Sequence, residues 1–359
     1  MKNIAYLSCL QSINGLGPVR LKILLKYYKD PKLIWETPVN DLISFKIPQP
    51  VLENLVWAQK NLDPEAEFEK ITAKNIQAVT LFDNEYPSSL KEIYHPPLLL
   101  YLKGEIPLLN QAIGVVGTRK ITGYGKTVTR LLTQELAEAG LTIISGLARG
   151  VDTIAHQITV DAGGKTIAVL GGGLNNIFPA ENTNLARTIS EGFGCLISEY
   201  HPDAPSIPGN FPARNRIIAG LSQSVLVTEA AEDSGSLITA RFALDQGKQV
   251  YAVPGPINSS LSSGPLELIR DGAKLVTKAS DILEDFGNLV SYKPLRPVEK
   301  LTELEYKIIT ELAKEKRHLD ELTRLLGQPA AKVASSLLKL EIEGFVSTEG
   351  NGIYTKNLY

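Results

Sequence analysis

The chain has only two cysteines in 359 residues, Cys9 and Cys195. They lie far apart and neither has a histidine at metal-ligand spacing, which speaks against zinc and fits a reducing compartment. Long apolar runs are missing too. No stretch approaches the roughly 20 residues that a bilayer helix needs, and the amino terminus MKNIAYLSCLQSINGLG has no apolar signal core. A cytoplasmic protein without membrane contact is expected. Charge of one sign is equally scarce: 37 Lys and Arg stand against 39 Asp and Glu, for a net charge of −2. That balance excludes a binder that is basic all over, so a polyanion would have to be met by a local patch.

Several catalytic signatures are also absent. Gly117-Thr118-Arg119 sets an arginine where the pyrophosphate of a dinucleotide would pass, and Gly123-Tyr124-Gly125 falls too late for that fingerprint. Gly163-Gly164-Lys165-Thr166 ends like a phosphate-binding loop but precedes a strand pattern instead of a helix. The sequence has no Ser/His/Asp set, no cysteine nucleophile and no carboxylate cluster of metal type. No cofactor is expected.

What the chain does have is apolar content, 43 %, and alternating periodicity. Residues 1–65 read as an all-helical module, with Leu7, Leu10, Leu21, Leu24 and Leu25 at helical spacing. Within it, Ile13-Asn14-Gly15-Leu16-Gly17-Pro18-Val19-Arg20 is similar to the turn of a helix-hairpin-helix unit, or simply turns two packed helices. Residues 1–63 carry eight Lys and Arg against five Asp and Glu, a mild basic excess.

Residues 66–288 alternate strand and helix. The expected strands are 78–82, 98–102, 112–116, 141–145, 166–170, 194–198, 224–228, 249–253 and 274–276. Such alternation implies βαβ units and a mainly parallel sheet covered on both faces, an α/β, extended Rossmann-like fold with extra strands at its start. Residues 289–298 read as a linker. Residues 299–359 give three helices and a hairpin, the order of a winged helix. Nine basic against ten acidic residues there favour a partner-binding role over sequence-specific DNA reading.

The candidate site follows from the sheet, because ligands of open parallel sheets bind outside the carboxyl ends of the strands. Gly117-Thr118-Arg119, Ser145-Gly146 through Arg149-Gly150, Gly171-Gly172-Gly173, Ser198-Glu199, Thr228-Glu229 and Pro254-Gly255 all fall at such ends. Their glycines let backbone N–H groups approach an anion, and Arg119 adds a charged fork. Phe211 to Arg216, which includes Arg214 and Asn215, precedes a helix, and Phe211 or Phe178 could stack on an exposed base. Equally, Phe211 could pack under the sheet, with Arg214 or Arg216 paired to Glu199 or Glu229. Asp152 and His156, at i and i+4, could form an acid–base pair, although such an Asp more often caps its helix and the His is structural. Gly235 and Ser236 open another helix, with hydroxyls suited to capping or to phosphate contact.

The ordered set of Gly117-Thr118-Arg119, Ser145 through Asp152 to His156, Phe211 through Ser222, Ser234-Gly235-Ser236 with Thr239-Ala240, and Pro254-Gly255 resembles the DNA-processing protein A family (DprA/Smf) across all three modules. The resemblance implies a homodimeric binder of single-stranded DNA without sequence preference, which protects DNA in natural transformation and loads the RecA recombinase. It implies DNA contact by Gly117, Thr118, Arg119, Ser145, Gly146, Arg149, Gly171, Phe211, Arg214, Asn215, Arg216, Gly235 and Ser236, and no enzymatic activity. Some members carry lysine where Ala180 follows Phe178-Pro179 here. The alternative is a nucleotide-processing enzyme of the lysine-decarboxylase-like type, a phosphoribohydrolase acting on nucleoside monophosphates in the same pocket. Residues 234–239 lack that family's double glycine and terminal glutamate.

Overall fold

The structure, a computed structural model, describes residues 3–287, 302–342, 345–350 and 352–356. The chain divides into two compact units, Met1–Leu295 and Arg296–Tyr359. The expected linker at 289–298 lies outside the described residues.

The first unit opens with helices α1 (Ile4–Ser12), α2 (Pro18–Tyr28), α3 (Pro31–Glu36), α4 (Val39–Leu42), α5 (Gln49–Asn61) and α6 (Pro64–Thr72). Prolines open several of them, as suits a first turn whose N–H groups have no intrahelical partner, and Asp30 and Asp63 cap α3 and α6. The expected module boundary at residue 65 falls inside α6. These helices do not form a core of their own: Leu7, Leu10, Leu21, Leu24 and Leu55 share one cluster with Leu99, Tyr101, Ala168 and Leu196 of the sheet. The buried Ser8 and Tyr101 hydroxyls add a 2.8 Å hydrogen bond across that junction. Each buried leucine contributes about 1.5–3 kcal/mol by leaving water, so the helices are fastened to the sheet as one folding unit.

Nine strands then form one sheet: β1 (Gln77–Thr80), β2 (Leu99–Gly104), β3 (Ala112–Val116), β4 (Thr142–Ser145), β5 (Thr166–Val169), β6 (Gly194–Ser198), β7 (Ser224–Val227), β8 (Gln249–Ala252) and β9 (Lys274–Leu275), in the order β1-β2-β6-β5-β4-β3-β7-β8-β9. From β6 to β9 all neighbours are parallel, while β2 runs antiparallel to β6 and β1 antiparallel to β2. The mainly parallel, Rossmann-like expectation holds, with the two extra strands placed beside β6. Alternate residues enter opposite cores, as a period of two requires: Ile113 and Val115 face one side, Ala112 and Val116 the other.

Between strands lie α7 (Ser88–Lys91), α8 (Gly123–Glu138), α9 (Val151–Asp161), α10 (Thr183–Thr188), α11 (Asn210–Leu221), α12 (Gly235–Asp245), α13 (Ser263–Arg270) and, after β9, α14 (Ser280–Phe286). Among the described residues no helix is long and apolar enough to cross a membrane.

The second unit contains α15 (Glu303–Leu312), β10 (Arg317–His318), α16 (Leu319–Leu326), α17 (Ala330–Ile342), β11 (Val346–Gly350) and β12 (Ile353–Lys356), with a sheet in the order β10-β12-β11. This is a winged helix. A Thr302/Glu305 capping box starts α15, and Ile308, Leu322, Val333, Leu337 and Val346 fill its core.

Candidate functional site

The loops after β3 to β8 line one edge of the sheet, and α11 lies across it. The helix forms because Ile217, Ile218 and Leu221 bury one face while Gly209 and Pro208 release the preceding turn. Its first half then reaches the segments after β4, β5, β6 and β7 and the one before β2. Phe211 lies against Gly171, where a Cβ would approach its ring to 2.8 Å. Arg214 lies over Gly146. The Asn215 side-chain amide donates to the Gly235 carbonyl at 3.0 Å. Arg216 donates to both oxygens of Glu199 at 2.6 Å, and its Nε to the His95 carbonyl at 3.0 Å.

Three of the expected residues meet solvent together. The Arg119 guanidinium sits 5.3 Å from the centre of the Phe211 ring, a cation–π distance. Phe211 in turn lies 5.6 Å from Phe178, which is 48 % exposed. An exposed charged fork beside two aromatic rings therefore faces outward from the strand ends.

Arg214 sits just beneath, only 3 % exposed, with Nε and Nη1 lacking a hydrogen-bond partner among the described residues. Burial pushes its guanidinium down to about 10; the Asp152 carboxylate opposes that and Arg119 adds to it. The buried Arg214 charge, partly offset by Asp152, adds positive potential beneath the exposed Arg119 and favours an anion there.

The remaining expected residues make contacts within the protein. Arg149 donates to both oxygens of Glu181 at 2.9 Å on the surface, and the Ser145 hydroxyl donates to the Val115 carbonyl at 2.7 Å. Ser236 Oγ lies 2.7 Å from Ser234 Oγ in the cap of α12. Thr118 donates its N–H to the Glu229 carbonyl and accepts from the Lys120 N–H, while Gly117 is packed against Val151 and Glu229. Arg214 is interior and Arg216 is paired with Glu199, one of the pairings the sequence left open.

Asp152 and His156 do not act on each other. Asp152 accepts from the Gly146 and Ala148 N–H groups at 3.1 and 3.4 Å. His156 Nε2 accepts from the Leu147 N–H at 3.3 Å, and Nδ1 lies 2.7 Å from Thr166 Oγ1. Because that hydroxyl donates to the Ile143 carbonyl, Nδ1 carries the proton and the imidazole is neutral. Burial first, then Arg214, pushes its pKa down to about 3. The pair fixes the loop after β4, where Leu147 adopts a left-handed φ of 56°, a costly conformation for leucine. The Asn182 side chain holds the Leu147 carbonyl at 2.8 Å. No local pattern marks Asn182; Glu229, expected at a strand end or as an arginine partner, instead accepts from the Thr122 N–H and hydroxyl at 2.9 and 2.7 Å.

Two family models match the chain, both beginning after the amino-terminal helices. Residues 77–287 match the family model for DNA recombination-mediator protein A, and residues 293–352 the model for the DprA winged helix domain. Protein Smf of Escherichia coli is 40 % identical over 276 residues, 74 % of each chain. The X-ray structure of DNA processing protein A from Streptococcus pneumoniae superposes with a TM-score of 0.68 at 36 % identity, covering 80 % of this chain and 99 % of that one. The Helicobacter pylori DNA processing protein A, studied for its single-stranded DNA binding mode, gives a TM-score of 0.54 at 32 % identity, covering 60 % and 98 %.

Proposed function

The chain belongs to the DNA recombination-mediator protein A family, and from that premise we propose that its sheet edge binds single-stranded DNA independently of sequence and without catalysis. The observation that carries the reading is Arg119 stacked over Phe211, with Phe178 beside it. A guanidinium neutralises a phosphate while aromatic rings accept any base, because every base has a π-face. The buried Arg214 adds positive potential behind them. The Helicobacter relative's single-stranded DNA binding mode supports the same assignment.

The test is Arg119→Ala measured against unrelated oligonucleotides over a salt series. Binding should weaken equally for all sequences, and the log–log salt slope should fall by about 1. Unchanged affinity and slope would remove Arg119 from the site. Release of free base from nucleoside monophosphates, abolished by the same substitution, would instead favour a nucleotide-processing enzyme.

Protection of the strand, its hand-over to the RecA recombinase, a homodimeric state and a cytoplasmic location complete the proposal, and they rest on family membership. Faster RecA filament formation on protein-coated single strands is the expected outcome for the hand-over.

A further inference from the structure

We propose that the strand path continues past Arg119 to a second base-stacking position at Tyr124, with Lys120 and Lys126 holding the flanking phosphates; this rests on the single-stranded DNA reading of the edge. Residues 117–134 contain Arg119, Lys120, Lys126 and Arg130 and no acidic residue, in a chain whose net charge is −2. Lys120 and Lys126 are exposed and make no ion pair among the described residues. Between them in sequence, Tyr124 is 42 % exposed. Its hydroxyl donates to the Pro254 carbonyl at 2.5 Å, which fixes the ring between the loops after β3 and β8. The nearby Glu229 carboxylate is buried and accepts from the Thr122 N–H and hydroxyl; it is the acidic group that acts on Tyr124 from beneath, and it does not pair with Lys120 or Lys126.

An anchored aromatic interleaved with unpaired cations is the combination that single strands use, and it is continuous with the Arg119–Phe211 pair through residues 119–124. Phe178 belongs to the loop after β5, and Tyr124 is tied to the loop after β8. The sheet order puts four strand steps between those loops, about 19 Å at a strand spacing of about 4.8 Å. That distance corresponds to about five or six nucleotides at the 3.4 Å spacing of a stacked strand, and to fewer in an extended one. The two aromatic positions would thus read bases at opposite ends of one short footprint.

The experiment compares competition by dT3, too short for both positions, with competition by dT12. It uses the full chain and its Tyr124→Ala, Tyr124→Phe, Lys126→Ala and Arg119→Ala variants. Tyr124→Ala should weaken dT12 by about 10- to 100-fold and leave dT3 unchanged, while Tyr124→Phe, which keeps the ring, should retain most of the dT12 affinity. Lys126→Ala should lower the salt slope for dT12 by about 1. Wild-type dT12 affinity in Tyr124→Ala, or an equal loss for dT3 and dT12, would overturn the second position. If Tyr124→Ala unfolds, a dT12 salt slope unchanged by Lys126→Ala overturns it instead. Loss on Arg119→Ala without loss on Tyr124→Ala would refute this extension alone; no effect of Arg119→Ala would refute the reading of the whole edge.

Discussion

The guanidinium of Arg214 occupies the space that a side chain on Gly146 would fill: a Cβ at residue 146 would fall on its Nη1. Gly146 is thus required by a side chain on α11 and not by its own backbone angles. Gly146→Ala should displace Arg214, cost about 1–3 kcal/mol by overpacking and weaken strand binding. Denaturant unfolding checks the first effect. A cycle with Arg214→Ala should be strongly non-additive, because the two residues share one space.

Phe211 supports Arg119 and offers a surface to a base. Phe211→Leu keeps apolar volume but removes the ring, and should weaken single-stranded DNA by about 1–3 kcal/mol. Its salt slope should stay unchanged, since no phosphate contact is lost. Fluorescence anisotropy at several salt concentrations separates these two quantities.

His156 gives a pH dependence whose sign is fixed by its burial. Its pKa is about 3 when folded against about 6.5 in an unfolded chain. Between those values the unfolded chain binds a proton that the folded one does not. Its contribution is therefore full above pH 6.5 and is lost as pH falls toward 3, at up to about 1.4 kcal/mol per pH unit. His156→Gln should be less stable at pH 7.5 but show a shallower decline between pH 6.5 and 4.5. Urea unfolding at fixed pH values measures both.

Arg216 and Glu199 form a largely buried bidentate pair, with side chains 12 % and 7 % exposed. Arg216→Met would leave a carboxylate uncompensated and should destabilise by about 3–5 kcal/mol. Adding Glu199→Gln should recover part of that loss. Thermal unfolding of the single and double variants checks the sign of the coupling.

The strands were legible where a buried run ends at a glycine. β3 appears where expected, at 112–116, since Gly117 closes an apolar run with no competing helical period. Most other strands end a residue or two from their expected bounds. The edge carrying the glycine loops was legible too, because it follows from topology. What the sequence left open was the fate of each polar side chain. Arg214, Arg216, Arg119 and Phe211 carry the same local signal, yet their partners lie 17 to 121 residues away, at Glu199, Gly146, His95 and one another. The left-handed Leu147 was equally hidden, since leucine gives no hint of such a backbone and its supports, His156 and Asn182, are tertiary neighbours. The amino-terminal helices had amphipathic periods, but a period does not reveal whether the apolar face meets its own module or the sheet.

The most direct test of the central claim is the affinity of the full chain and of Arg119→Ala for single-stranded and duplex DNA of one length and several sequences, over a salt series. The account predicts that the wild type prefers the single strand whatever its sequence, and that Arg119→Ala weakens that binding uniformly with a salt slope smaller by about 1. Equal affinity for duplex and single strand, or an Arg119→Ala variant that binds the single strand as the wild type does, would contradict it.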